Sequence, residues 1–455
     1  MFPVLPFPIS RFRVSEAMAK TIKATFARGA RRVTGSNFLF EIEGDDVSVR
    51  ILIDCGLSQG ERFCELTNSE PFSYDPKTID AVFFTHAHAD HIGLFPRLVK
   101  EGFTGKAYAT APTRDLMPIM LEDSVQLIAL EAKRCNDEPP YGIEDVTHAV
   151  EKITAIEYHA PVQIAPNVTV TLYNAGHILG SALAALDVDG RRILLTGDLG
   201  RVPSVLVPDH EVPEGVEILV TESVYGNRVH GSIEDSTEAL LEAVRGTIAK
   251  QGTLLIPAFS LERTQIILSI LDSATGKGTL PAVPVFMDSP LAAKVTAVYK
   301  RYPQFLREEV RKRLESGDDP FSFPSLKVTV NPAESRAISN VPGPKVIIAG
   351  AGMSHGGRIK KHEAEYLPQA STTILLVGYQ VPASLGRRIM DGAKEVDIDG
   401  QKVKVRAKVL KVGGFSAHAD RDDLIDFAEK VSPKRVFVVL GETESATFLA
   451  QRISG

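Results

Sequence analysis

Cysteine is scarce in this chain: 455 residues contain three, Cys55, Cys64 and Cys135. So few and so scattered, they supply neither a disulfide framework nor a Cys-rich zinc site, and they suit a reducing, cytoplasmic setting. Long apolar runs are missing as well. None approaches the ~18 residues of a membrane-spanning helix, so no membrane association is expected. Met1–Ser10 is apolar and broken by proline without a basic start, which does not fit a signal peptide. Nor is there an excess of positive charge. The net charge is −6, so a nucleic-acid ligand would need a local basic groove rather than attraction to the whole chain. Low-complexity tracts and short-period repeats are absent. What remains is the composition of an ordinary globular protein, 44% hydrophobic and 24% charged, with a length that allows about two to four domains.

Histidine is also sparse, at 11 residues, yet three of them fall in His86-Ala87-His88-Ala89-Asp90-His91. Chance would place such a run in about one in a few thousand chains of this composition. It follows an apolar stretch, Ala81 to Phe84, that reads as a buried strand. Imidazoles with a carboxylate suit zinc, and three or four such ligands with an open position make a catalytic site. A short local cluster cannot close a metal shell, so partners are expected elsewhere in the chain. Asp54, His177 and Asp198 each follow an apolar strand, where functional loops sit on a rigid scaffold. Taken singly, each would read as a turn, cap or loop residue. Up to Thr221-Glu222-Ser223 the pattern is short strands and loops with a few helices. After Gly226 it changes to regular strand–helix units, the mark of a second α/β domain with a mostly parallel sheet. Within it, Leu291–Ser316 reads as one long helix, and Asp399-Gly400 as a hairpin turn.

In this order the residues resemble the metallo-β-lactamase superfamily: an Asp after a strand, HxHxDH, a distant His, a distant Asp. The resemblance covers nearly the whole chain and implies an α/β fold, an αββα sandwich. It implies that His86, His88 and His177 bind one zinc, that Asp90 and His91 bind a second, that Asp198 bridges them, and that Asp54 orients ligands. Later segments are similar to the β-CASP family of nucleases: Thr221–Gly226, Ile256–Ser260 with Glu262-Arg263, Met287–Pro290, Gly350–Arg358 and Gly414–His418. That likeness implies a β-CASP domain at 225–410 inserted into a lactamase-like domain of 1–224 and 411–455. No counterpart of the archaeal amino-terminal RNA-binding extension is expected, and the chain is shorter than typical RNase J.

The chemistry implied is zinc-dependent endonucleolytic hydrolysis of single-stranded RNA in RNA processing, with Asp90, Glu222 and His418 catalytic. An ionised Glu222 would keep His418 protonated, ready to donate to the leaving oxygen. Arg263, Ser289, Gly352 and Gly356 would hold neighbouring phosphates without reading base sequence. A homodimer is a candidate assembly. One departure stands out. The family pattern ends Val-His-Gly-Glu, whereas this chain has Val439-Leu440-Gly441-Glu442. Leucine cannot ligate a metal, so one tight zinc site and a weaker second site are expected. The alternatives are a DNA-directed nuclease of the same fold, a non-catalytic RNA-binding member, or a small-molecule hydrolase.

Overall fold

A computed structural model describes residues 11–14, 20–44, 46–59, 68–382 and 384–454. Met1–Ser10 and Cys64 lie outside these residues. The chain forms two compact units, Met1–Val229 with His418–Gly455, and His230–Ala417.

The first unit is built on two sheets. One has seven strands in the order Arg11–Val14, Lys20–Arg28, Asn37–Gly44, Val47–Ile53, Ala81–Phe83, Lys106–Thr110 and Ile153–Ile156. Its first four strands are antiparallel, and from Val47–Ile53 onward the pairing is parallel. The other has six strands in the order Arg435–Val438, Val216–Thr221, Arg191–Leu195, Ala182–Val188, Val168–Asn174 and Val162–Ala165. Alternation places the core. Phe38, Phe40 and Ile42 are opposite Ile53, Ile51 and Val49 in register, and all six face inward. They meet Val170, Leu172, Ala184 and Leu186 of the second sheet in one buried cluster. Each fully buried side chain of this size contributes roughly 1.5–3 kcal/mol. On the far side of the second sheet, Leu183, Ala185, Leu194 and Leu219 pack under Leu424 and Phe427 of the helix Arg421–Val431. On the far side of the first, the helix Ala111–Cys135 packs against Lys106–Thr110 and Ile153–Ile156. The layers are helix, sheet, sheet, helix. No described helix is long and apolar enough to cross a membrane.

The second unit has a six-stranded, all-parallel sheet ordered Leu326–Val328, Val285–Met287, Lys345–Ala349, Thr253–Pro257, Thr373–Val377 and Lys408–Val412. Asp399 and Gly400 take φ of 52° and 81° in the two-residue turn between Glu395–Ile398 and Gln401–Lys404, as a tight hairpin demands. The single helix expected over 291–316 is broken. It runs as Pro290–Arg301, a 3-10 turn Pro303–Phe305 and Glu308–Glu315. Pro303 has no N–H to continue the first helix, which ends two residues earlier.

Cys55 is buried and free, whereas Cys135, at the end of its helix, is disulfide-bonded. That single link is the departure from the reduced chain expected on cysteine content.

Candidate metal centre

The strands that precede the candidate residues point one way, so their carboxyl ends share one edge of the first unit. Asp54 follows Val47–Ile53 and His86 follows Ala81–Phe83 in a parallel pair. His177, Asp198 and Glu222 follow Val168–Asn174, Arg191–Leu195 and Val216–Thr221. The helix expected to start near Ile92 begins earlier. His88 is the N-cap of a short helix Ala89–Ile92, which carries Asp90 and His91 in its only turn, and a second helix follows at Phe95–Lys100.

Four candidate ligands converge. His86 Nε2 is 2.9 Å from His88 Nδ1 and 3.3 Å from Asp198 Oδ2. His177 Nε2 is 3.4 Å from His88 Nδ1 and 3.6 Å from Asp198 Oδ2. A tetrahedral ion with bonds of about 2.05 Å spaces its ligand atoms about 3.3 Å apart. The observed spacings bracket that value, so these four groups fit a zinc-sized ion without rearrangement. Burial lowers the pKa of His86, His88 and His177, and repulsion from neighbouring imidazoles, His91 for His86, His86 for His88 and His418 for His177, adds to it. All three are therefore neutral near pH 7, the form that ligates.

Asp90 and His91 lie beside this set. His91 Nε2 is 3.2 Å from Asp198 Oδ1 and 3.9 Å from Asp90 Oδ2, and it is buried without a hydrogen bond. Its other nitrogen is committed, because Nδ1 lies 2.7 Å from Asp54 Oδ2. Asp54 is fully buried and also accepts from Ser36 Oγ at 2.9 Å and from the Thr85 N–H at 2.8 Å. The Asp54 carboxylate therefore holds the His91 ring with Nε2 turned toward Asp198 and Asp90. Burial raises the Asp90 pKa. Burial opposes a proton on His91, but the Asp198 and Asp54 carboxylates outweigh it, and its pKa is raised.

The third group is Asp198, Glu222 and His418. His418 Nδ1 is 3.3 Å from Glu222 Oε1 and 3.9 Å from Asp198 Oδ2. Glu222 is fully buried, and its Oε1 accepts the Leu199 N–H at 2.6 Å. Burial works against a charged His418, yet the Glu222 and Asp198 carboxylates raise its pKa to about 9.

Two glycines let the loops close. A Cβ on Gly56 would lie 1.6 Å from the Asp90 carbonyl oxygen, and one on Gly200 would lie 1.9 Å from that of Gly176. Across the first contact, Cys55 N–H donates to His91 O at 2.7 Å and Leu57 N–H to Ala89 O at 3.0 Å. Sequence reasoning missed these glycines, and it missed Thr85. The Thr85 hydroxyl touches Asp54, His86 Nδ1 and His91 Nδ1. Its position one residue before His86 was the available signal.

Leu440 is not near-surface filler. It is 1% exposed, sits in the core cluster with Val439 and Phe437, and donates its N–H to Gly29 O at 2.9 Å.

The remaining candidates belong to the second unit, at the carboxyl ends of its parallel strands. Ser289 caps the helix Pro290–Arg301 through its hydroxyl, which also lies 3.3 Å from Ser260 Oγ. Gly352 gives close passage to the Phe259 ring, whereas a Cβ on Gly356 would meet open space. Arg263 opens the helix Arg263–Gly276. Asp288, next to Ser289, was not foreseen. Although buried, it stays ionised because His362, Ser335, Thr329 and Arg358 all hydrogen-bond to it. It thereby pins the Gly-rich segment that ends at Arg358.

Family comparisons agree with this architecture. A metallo-beta-lactamase superfamily domain matches residues 42–199, a Beta-Casp domain 264–389, and a Zn-dependent metallo-hydrolase RNA specificity domain 402–455. The chain is 37% identical over 425 residues to a protein of Thermus thermophilus named as a ribonuclease, covering 93% of this chain and 94% of that one. It is 33% identical over 452 residues to the transcription termination factor FttA of Methanosarcina mazei, covering 95% and 69%. An RNase J-like protein of Methanocaldococcus jannaschii is 33% identical over 416 residues, covering 90% and 91%. A crystal structure of a protein of unknown function from Enterococcus faecalis shares the fold at a TM-score of 0.55, with 14% identity over 93% of this chain and 95% of that one. Strand-end candidate ligands, the inserted parallel-sheet unit and these likenesses lead to one conclusion: the chain belongs to the Beta-Casp family of metallo-beta-lactamase-fold metallo-hydrolases.

Proposed function

We propose that this protein is a zinc-dependent endonuclease that hydrolyses single-stranded RNA. The observation that carries the reading is the four-ligand cage of His86, His88, His177 and Asp198, with spacings of 2.9–3.6 Å that match a tetrahedral zinc shell. The likeness to relatives named as a ribonuclease and as a transcription termination factor supports RNA as the substrate class. A second metal would draw on Asp90, His91 Nε2 and Asp198. With Leu440 buried in the core, that set has one imidazole rather than two, and the second site is the weaker.

Metal held by these residues supplies an acidified water near neutral pH and charge neutralisation at a phosphate. The protein's own groups do the rest. Asp54 and Thr85 fix the His91 and His86 rings, so the donor atoms are in place before any ion arrives. Glu222 keeps a proton on His418. With Nδ1 facing Glu222, the Nε2–H of His418 is the one left to donate to a departing ribose oxygen. Arg263, Ser289, Gly352 and Gly356 of the second unit are assigned to the phosphates of the strand, which gives affinity without base preference.

The test is cleavage of end-labelled single-stranded RNA and of DNA of the same sequence, each with and without chelator. RNA cleavage abolished by chelator and restored by zinc is expected. Cleavage that survives in both chelator and a His88→Ala variant would place the activity elsewhere. Preferential cleavage of the DNA would select the DNA-directed alternative.

A further inference from the structure

His210 has no part in the chemistry above, yet it is braced against the loops that carry it. Its Nδ1 lies 3.0 Å from the Gly200 carbonyl oxygen. A carbonyl only accepts, so Nδ1 carries the hydrogen. The ring also meets Phe427 edge-on, with centroids 5.1 Å apart. Gly200 is where the site-bearing loops join. Its N–H donates to Ala175 O at 2.8 Å, two residues before His177. It lies two residues after Asp198, and its backbone forms an antiparallel bridge with His418. Next to that bridge, Ala419 N–H donates to Leu199 O at 2.7 Å. The His210 backbone is wedged against the same junction, since a Cβ on Gly176 would lie 2.6 Å from His210 N.

We infer that His210 is a positioning residue whose Nδ1–H, through the Gly200 carbonyl, holds the His177, Asp198 and His418 loops in mutual register. The inference rests on the metal-centre reading given above. The physical reason is that His177 and Asp198 follow two different strands while His418 precedes the helix Arg421–Val431, and no single element fixes their spacing. Backbone hydrogen bonds converging on Gly200 do so instead. The Gly200 carbonyl is oriented by this half-buried donor, and losing it lets the peptide rotate. Outer partners of this kind alter metal affinity or activity by about 10–100-fold when removed.

Two substitutions separate the hydrogen bond from the packing. His210→Phe keeps a ring against Phe427 but has no N–H. His210→Asn loses the ring but places an amide N–H near the position of Nδ1. Zinc affinity is read by competition with a chromophoric chelator, and kcat and KM are read on labelled RNA. His210→Phe is expected to weaken zinc binding about 10-fold and to lower kcat with KM unchanged, while His210→Asn stays within about 2-fold of the unmodified protein. An unchanged zinc affinity in His210→Phe overturns the inference. So does His210→Asn binding zinc as weakly as His210→Phe, because the ring packing would then be what matters. If His210→Phe fails to fold, His210→Ala, which lacks both the ring and the N–H, is read against His210→Asn, which lacks only the ring: an about 10-fold weaker zinc affinity in His210→Ala alone supports the hydrogen bond, and equal affinities in the two refute it. Zinc retention is measured without RNA, so a failure of the unmodified protein to cut RNA counts against the functional reading and not against this one.

Discussion

Asp54→Asn changes one oxygen to an amide without changing shape, and the centre should register it strongly. Asp54 is fully buried and accepts on both oxygens: Oδ1 from Thr85 N–H at 2.8 Å, Oδ2 from Ser36 Oγ at 2.9 Å and His91 Nδ1 at 2.7 Å. An amide accepts on one side only. If its NH2 faces His91, the ring must present Nδ1 as an acceptor and move its hydrogen to Nε2, and Nε2 then cannot bind a metal. If its NH2 faces Thr85, two donors confront each other in a buried site, which costs about 1–3 kcal/mol. Either way the expected loss in metal affinity is about 10–100-fold, concentrated in the site that uses His91. In the metal-free protein the Asp198 and Asp54 carboxylates hold a proton on His91. A metal must displace that proton, so affinity at this site should rise with pH. Calorimetric zinc titration at two pH values, with circular dichroism to confirm folding, reads both effects. Asp54→Asn showing both affinities and the same pH dependence as the unmodified protein would refute the role given to Asp54.

Three further outcomes are expected. The proton on His418 is held to about 9 by Glu222 and Asp198 against the effect of burial, so kcat should fall as pH rises through the alkaline range. Glu222→Gln should move that fall to lower pH by about one to two units, and an unmoved pH–rate profile would remove Glu222 from the mechanism. Zinc titration of the unmodified protein should show two unequal affinities, with Leu440→His tightening the weaker about 10-fold at some cost in melting temperature, because it puts an imidazole into a core cluster. Two equally tight zincs in the unmodified chain would mean that another side chain replaces the missing ligand. In the second unit, buried Glu262, hydrogen-bonded by the Tyr299 hydroxyl, has its pKa raised from 4.5 to about 7. Its folded form holds the proton more tightly than the unfolded chain does, so the contribution of this group to stability is full below 4.5 and is lost, by up to roughly 3 kcal/mol, as pH rises through 7. Glu262→Gln removes that loss and should melt higher than the unmodified protein at pH 8 but not at pH 4.5. An equal difference at both values would show that ionisation is not the cause.

The chain by itself determined the local chemistry. Six consecutive residues carry three imidazoles and a carboxylate, which keeps these groups close to one another along the chain. Strand-end positions of Asp54, His177, Asp198 and Glu222 were legible because apolar runs stop just before each of them. The inward alternation of Phe38, Phe40 and Ile42, and the turn at Asp399-Gly400, follow from side-chain period and glycine stereochemistry alone. Other features were decided only by tertiary structure. No spacing rule says that His177 and Asp198 come within reach of His86 and His88; strands running in the same sense within each of the two sheets do that by putting their ends at one edge. Close passage at Gly56 and Gly200, the hydroxyl of Thr85 between three partners, and the brace from His210 depend on backbones meeting within hydrogen-bond reach. Leu440 gave away the missing ligand in the sequence, but its burial in the core cluster required the fold. Contacts between residues distant along the chain arise from the packing of whole sheets, and local sequence pattern carries no record of that geometry.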